Sequence, residues 1–531
     1  VVTTAAILVA MYAFIDRRHA TNRHAVPSSQ PPSKTTTPAR AALAGSAEIV
    51  AENRRPGTAT WRLPPGTVTT AIAGYADRVS AVKGETVTLY VSSPSAFHVE
   101  AYRMGFYGGA GARLVWTSPV TPGVVQSQPL IVSPNRTVEA RWTPSLRVPI
   151  GPDWTPGDYL FKLVGADVLA QHYIPLTVRD DTRNATIVVV NAVTTWQAYN
   201  QWGGYSLYKG PRADPKLRSN IVSFDRPYDN SGASEFLGNE YPLVSLTEQL
   251  GLDVTYLTGV DVAAHPDVML HHRAIVSLGH DEYWSLAMRN GVETARDHGV
   301  NVAFLGANAV FRRIRLEASL LGPMRHEVNY RSARLDPMTG KNNAEVTTSW
   351  REPPAARPES TLTGVLYECN PVNVSGVVAD QSSWVFAGSG LKNGDQIAGL
   401  VGSEYDRVTP QAPTPPTIQV LFHSPLRCRK KKSYSDVAYY TAPSGAGVFS
   451  TGTGAWICKL LTGCPADRPM VADSRIRIIT TNVLRAFAAG PAGTTHPSNP
   501  NLVTLHITTK PLGAGSQQPS SHTGGAPPPP D

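Results

Sequence analysis

The pattern of apolar and polar positions changes near residue 185. From about residue 46 up to that point, apolar residues alternate with polar ones in short runs. Glu85-Thr-Val-Thr-Leu-Tyr-Val91, Phe97-His-Val-Glu-Ala-Tyr102, Tyr159-Leu-Phe-Lys-Leu163 and Tyr173-Ile-Pro-Leu-Thr-Val178 are the clearest. Gly and Pro punctuate them, and no long helical period intervenes. A period of two turns successive side chains to opposite faces. This predicts an all-β block over residues 46–182, an antiparallel β-sandwich of immunoglobulin-like type. Beyond 185 the runs become continuously apolar. Thr186-Ile-Val-Val-Val-Asn191, Leu252-Asp-Val-Thr-Tyr-Leu257, Ala274-Ile-Val-Ser-Leu278 and Val300-Asn-Val-Ala-Phe-Leu305 read as strands buried on both faces. Helical periods from Tyr241 to Leu250 and from Trp284 to His298 separate them. Strand and helix in alternation predict a doubly wound α/β domain over residues 183–510. Its β-rich additions after about 325 are expected to fold onto the same body.

Three segments lack these periods. Residues 20–45 are rich in Pro, Ser, Thr and Ala and read as a linker. Residues 511–531 end in Pro527-Pro-Pro-Pro530 and read as a disordered tail. Val1 to Ile15 is an uncharged apolar run before Asp16-Arg-Arg-His19. Residues 1–19 are therefore expected to be a membrane anchor or signal segment, although the run is below the roughly 20 residues of a comfortable span. Its arginines follow the run, where the positive-inside rule places them before it. The expected location is the cell envelope, membrane-anchored or secreted.

Composition narrows the class. Hydrophobic residues at 41% suit a folded chain, and 17% charged with 44 Gly and 45 Pro suits a loop-rich, exported one. The net charge of +8 is spread along the chain, without the basic face and interleaved aromatics of a nucleic-acid binder. Its densest cluster, Arg427-Cys-Arg-Lys-Lys-Lys432, reads as a solvated loop or as a contact for an anionic surface. The four cysteines are Cys369, Cys428, Cys458 and Cys464, with no CxxC pair. Export makes disulfides plausible, and three pairings stay open. Cys458 with Cys464 would close a short loop and Cys369 with Cys428 a long one; four buried thiols are the alternative.

Each of the four apolar runs ends in a polar or small-residue cluster. These are Asn191 leading to Thr195-Trp-Gln-Ala-Tyr-Asn200, Thr258-Gly-Val-Asp261, His280-Asp-Glu282 and Gly306-Ala-Asn308. Ligands of open parallel sheets bind outside the carboxyl ends of the strands, so four such clusters are expected to share one crevice. On an extended segment His280 and Glu282 point to one side. An imidazole beside a carboxylate can bind a metal or act as a base; the same string can also be a polar loop capping the next helix. Asp281 would point away, towards a helix N-terminus. The aromatic stretch Trp196 to Tyr208 can stack sugars, ligate a ferric ion through phenolates, or form a packed lid. No G-x-S-x-G elbow, Walker loop or post-strand G-x-G-x-x-G occurs.

The strings Tyr102-Arg-Met-Gly-Phe-Tyr-Gly-Gly109, Trp196-Gln-Ala-Tyr199, Ser206-Leu-Tyr208, Gly279-His-Asp-Glu-Tyr-Trp284, Phe304-Leu-Gly-Ala-Asn308 and Gly402-Ser-Glu-Tyr-Asp406 resemble the large (beta) subunit of N,N-dimethylformamidase and its exported relatives. The resemblance runs from about 46 to 510. It implies an iron-dependent hydrolase of linear amides, with one iron, ferric, held by two tyrosines and a glutamate. Carried over, Tyr199, Tyr208 and Glu282 are the metal ligands. Tyr205, Tyr228 and Tyr241 remain alternatives to Tyr208. His280 becomes an acid/base neighbour, Asn308 an orienting amide and Glu404 a general base or substrate-binding carboxylate. The expected partners are a small amide or an amide in envelope material, and the membrane through the N-terminal segment; a homo-oligomer is left open. Two other functions compete. One is a non-catalytic surface protein binding glycan through the β-sandwich and the aromatic stretch. The other is a carbohydrate-active hydrolase using Glu282 and Glu404 as its carboxylate pair.

Overall fold

A computed structural model of the chain describes residues 46–463 and 471–511. The expected N-terminal segment and linker, Cys464 and residues 512–531 lie outside the described residues. Among the described residues no helix is long and apolar enough to cross a membrane.

The alternating runs form two sheets. One is three-stranded, in the order Ala73–Ala76, Thr86–Ser92, Leu146–Pro149. The other runs Ser80–Val82, Gln171–Arg179, Gly157–Gly165, Phe97–Met104, Ala112–Thr117. All pairs are antiparallel except Ser80–Val82 with Gln171–Arg179. Val87, Leu89 and Val91 from the first sheet meet Val99, Ala101, Phe161 and Leu163 from the second in one apolar core.

The continuous runs are β1 (Ile187–Asn191), β2 (Val254–Thr258), β3 (Ala274–Leu278) and β4 (Asn301–Leu305). Later segments add the long hairpin β5 (Leu366–Val377) and β6 (Gln396–Arg407), then β7 (Gln419–Cys428), β8 (Lys431–Thr441) and β9 (Gly447–Ser450). The central sheet has the order β2-β1-β3-β4-β9-β8-β7. Its first five strands are parallel, and β8 pairs antiparallel with both β9 and β7. Alternate residues of each strand enter opposite cores. Val189, Tyr256, Val276 and Leu305 meet the helices Tyr241–Gln249 and Ser474–Ala489. Val188, Leu257, Ile275 and Phe304 meet Gly259–Ala264 and Leu286–Asp297. Helices on both faces explain why these strands carry no polar stripe. The expected helix from Trp284 begins later, because Tyr283–Ser285 first pairs with Arg312–Ser319 and Ser285 then caps the helix by accepting the Met288 N–H at 3.2 Å.

The order of strands reverses between β1 and β3, where α/β sheets place their ligands. Two glycines let the chain turn there. A Cβ on Gly306, just after β4, would fall on the Gly279 carbonyl, and one on Gly279 on the Asn239 carbonyl. Gly279 also has a left-handed φ of +50°.

The β-rich block is docked through the string Tyr102 to Gly109. Arg103 is fully buried and grips Glu248 with two bonds, Nη2 to Oε1 at 2.6 Å and Nη1 to Oε2 at 2.8 Å. Gly105 leaves room for that carboxylate, and Tyr107 donates to Glu52 at 2.7 Å. One apolar cluster continues from Tyr102 and Leu160 into Val189 and Tyr256.

Candidate functional site

The first half of the site follows β1. Helix α1 (Val193–Tyr199) ends on Tyr199. The chain then folds back, and the Leu207 N–H donates to the Ala198 carbonyl at 3.0 Å. Arg226, 1% exposed, clamps this loop by donating to the Gln197 side chain and to the carbonyls of Asn200, Trp202 and Tyr205. Tyr199 and Tyr208 thereby stack with ring centroids 4.2 Å apart, on an apolar floor of Ala198, Leu207, Val222 and Ile314.

The second half follows β3. The Glu282 N–H donates to Thr195 Oγ1 at 3.0 Å and the Tyr283 N–H to the same oxygen at 3.3 Å. The Glu282 carbonyl accepts the Arg312 N–H at 2.8 Å. Backbone bonds on both sides therefore fix the direction of the Glu282 side chain, which is 2% exposed.

Three oxygens converge there. Tyr199 donates to Glu282 Oε2 at 2.8 Å and Tyr208 to the same atom at 2.6 Å. His280 Nε2 lies 3.5 Å from Glu282 Oε2 and 3.3 Å from Glu404 Oε2. Arg312 Nε stands 3.6 Å from Glu282 Oε1. The Arg331 guanidinium lies over the Tyr208 ring, 4.0 Å from its centroid, and donates to the Tyr283 hydroxyl at 3.0 Å. Burial works against a charged Glu282, but the hydrogen bond and charge of His280, with Arg312 and the Tyr208 hydroxyl, hold its carboxyl down at about 2. For His280, burial is outweighed by the Glu404 and Glu282 carboxylates, which push the imidazole well up. Burial and then the Glu282 charge push both phenols well up. Among the described residues no group of three or more His, Cys, Asp and Glu could hold a metal ion. The converging donors are instead two phenols and one carboxylate, hard oxygen ligands that suit a highly charged cation.

Tyr199, Tyr208, Glu282, His280 and Glu404 are thus brought together. Asn308 takes a left-handed φ of +57°, and its N–H donates to Asp406 at 2.8 Å, two residues from Glu404. Its Oδ1 is buried without a protein partner. Of the alternatives to Tyr208, Tyr228 packs edge-on against Trp196, Tyr241 packs against Trp61 and Phe236, and Tyr205 supplies only its carbonyl to Arg226.

Two expectations are corrected. Asp281 does not reach a helix N-terminus: it accepts the Ser277 hydroxyl at 2.7 Å, and burial pushes its carboxyl up to about 7. The cluster at the end of β2 does not join the crevice. Thr258 and Asp261 form a capping box on the next helix, and Asp261 holds Ser80 and Arg179 of the β-rich block. The aromatic stretch offers no open platform at Trp196, which is 5% exposed and donates its indole N–H to Glu240 at 2.7 Å. Glu282 and Glu404 both approach one imidazole nitrogen, at 3.5 and 3.3 Å, so the two carboxylates lie closer than the roughly 9.5 Å upper limit of glycosidase pairs.

Arg312, Arg331, Asn370 and Glu327 were not singled out by the sequence. Asn370 donates to Glu404 Oε1 at 2.8 Å. Glu327 is wholly buried with neither oxygen partnered, between Val222 and Leu316 on adjacent strands. Burial, then the Glu282 charge, pushes its carboxyl well up. Only Tyr283, inside the Gly279 to Trp284 string, carried a signal.

Residues 98–467, which include every residue of this cluster, match the protein family described as N,N-dimethylformamidase beta subunit-like, C-terminal. No curated protein matches the chain.

Proposed function

The chain belongs to the N,N-dimethylformamidase beta subunit-like family, and from that premise we propose that it is an iron-dependent hydrolase of linear amide C–N bonds. Tyr199, Tyr208 and Glu282 would hold the metal. The observation that carries this reading is the meeting of two phenol oxygens on Glu282 Oε2, at 2.8 and 2.6 Å. Two phenolates and a carboxylate carry three negative charges, which match a ferric ion. Bound there, iron supplies Lewis acidity to an amide carbonyl and to water.

The chain's own groups divide the proton transfers. Glu404 Oε2 is buried without a hydrogen-bond partner among the described residues and lies 3.3 Å from His280 Nε2, so it can take a proton from water. His280, held between two carboxylates, can hand its Nε2 proton to the departing amine. The Asn308 side-chain oxygen has no protein partner and can accept from water, or from an N–H where the substrate amide carries one. Arg312 and Arg331 balance the negative charge gathered at Glu282 and Tyr208. A close-packed cluster with Glu282 at 2% exposure favours a small substrate. The Cys369–Cys428 disulfide supports an oxidising, exported location. The two face-to-face sheets support the immunoglobulin-like reading of the N-terminal block, which positions the catalytic part rather than reacting.

Amine release from N,N-dimethylformamide and other small linear amides tests the activity. Iron-loaded protein should turn over at least one of them, and Glu282→Gln should reduce kcat/KM by roughly 100-fold or more. Full activity in Glu282→Gln, or no turnover of any small amide, would overturn the reading.

A further inference from the structure

Glu404 owes its place to an irregular stretch of the β5–β6 hairpin. Cys369 stands opposite Tyr405 and Val372 opposite Ser403, so two residues of β5, Asn370 and Pro371, face the single residue Glu404. Such a bulge re-aims side chains. Here it brings the Asn370 amide to Glu404 Oε1 at 2.8 Å and leaves Oε2 to His280 at 3.3 Å.

The amide is itself held in one orientation. Arg429 Nε donates to the Asn370 carbonyl at 3.1 Å, and Arg429 Nη2 to Asn370 Oδ1 at 3.2 Å. With Oδ1 turned to a guanidinium, the amide NH2 must face the carboxylate. Arg429 lies in the tight turn between β7 and β8, where it and Lys430 have φ of +45° and +72°. The neighbours of both partners are joined covalently: Cys369 precedes Asn370, Cys428 precedes Arg429, and the two cysteines form a disulfide across 59 residues. The basic cluster is therefore partly occupied in the site's support.

We propose that Asn370 is a positioning residue for the Glu404 carboxylate, and that the Cys369–Cys428 disulfide, by clamping Asn370 to the Arg429 turn, makes activity depend on an oxidised staple. This rests on the reading of Glu404 as the group that takes the proton from water. Without the staple, the Asn370–Arg429 link itself rests on hydrogen bonds exposed to solvent, beside the apolar packing of Val372, Val401, Tyr405 and Leu426. The Glu404 carboxylate then loses the fixed direction that gives Oε2 to His280. Tyr199, Tyr208 and Glu282 make no contact with the staple, so metal binding should be indifferent to it.

The test uses iron-loaded full-length protein as Asn370→Ala, Arg429→Gln, the double variant Cys369→Ser/Cys428→Ser, and the combination of Asn370→Ala with the two serines. Serines are used because thiol reductants also reduce ferric iron. Asn370→Ala and the double serine variant should each lower kcat by roughly 10–100-fold with KM, iron content and phenolate absorption unchanged. The combination should lose no more than the worse of its parts, because all act through one carboxylate. Arg429→Gln, which leaves the disulfide intact, should fall between wild type and Asn370→Ala. Full kcat in Asn370→Ala, additive losses, or parallel loss of iron and melting temperature would overturn the proposal. Glu404→Gln separates the layers. If it is inactive while Asn370→Ala is not, only the positioning proposal fails. If Glu404→Gln keeps full activity, or wild type shows no turnover, the underlying reading fails and the proposal with it.

Discussion

Thr195 has no reactive role in this account, yet one hydroxyl oxygen accepts both the Glu282 and the Tyr283 N–H. Thr195→Val keeps the shape and leaves two buried donors unpaired, at a cost of about 1–3 kcal/mol each. Urea unfolding should show that loss, and kcat should fall with it because Glu282 is no longer held in direction. A variant within about 0.5 kcal/mol of wild type would contradict the assigned role. At this scale His280 and Glu282 were legible because they follow a strand that declares itself by its apolar run. Tyr208 was legible only through the resemblance, since its meeting with Tyr199 depends on the Arg226 clamp. Arg331, Asn370 and Glu327 were not legible. Nothing local marks them, and only tertiary packing brings them beside the tyrosines and Glu404.

The ends of β3 and β4 set how closely the site segments approach. Gly306 packs against the Gly279 carbonyl, and Gly279 against that of Asn239, so neither position has space for a Cβ. Gly306→Ala should force backbone movement at both strand ends. The expected result is a loss of several kcal/mol or insoluble protein, measured by urea unfolding and soluble yield against wild type. An active, soluble Gly306→Ala of wild-type stability would show that the two strand ends do not set the site. The parallel strands were legible because burial on both faces imposes a continuous apolar code. Helix α1 was hidden in the aromatic stretch, whose residues also suit a lid. The strand Tyr283–Ser285 was read as the start of a helix, because three residues are too few to show a period of two. The hairpin carrying Glu404 was expected only as β-rich sequence, and its bulge is set by pairing that no single strand encodes.

Across the molecule, buried carboxyls set how stability follows pH. Burial pushes Asp158 up to about 7 despite bonds from Asn191 and Thr177, and Asp406 up to about 8 despite the Asn308 N–H. The folded chain keeps these protons while the unfolded chain releases them near its ordinary values. Stability from both groups therefore falls as pH rises from about 4 to about 8. Glu293 acts oppositely: burial is outweighed by Arg289, Arg357 and Arg296, which hold it down at about 2, so its contribution is lost as pH falls below about 4.5. The melting temperature should peak near about pH 5 and decline towards pH 8, and Asp158→Asn should flatten that decline. A melting temperature that rises from pH 5 to 8 would contradict this balance. The division into a β-rich block and an α/β body was legible from the change of period. Their joint was not, because the buried Arg103–Glu248 pair links residues far apart in sequence. The central claim is an iron centre of two tyrosines and Glu282, and its most direct measurement is iron content together with visible absorption of the whole protein. The account predicts one iron per chain and a phenolate-to-iron band that weakens in both Tyr199→Phe and Tyr208→Phe and vanishes with the iron in Glu282→Ala. Folded wild-type protein that takes up no iron, or a band untouched by both tyrosine variants, would contradict it.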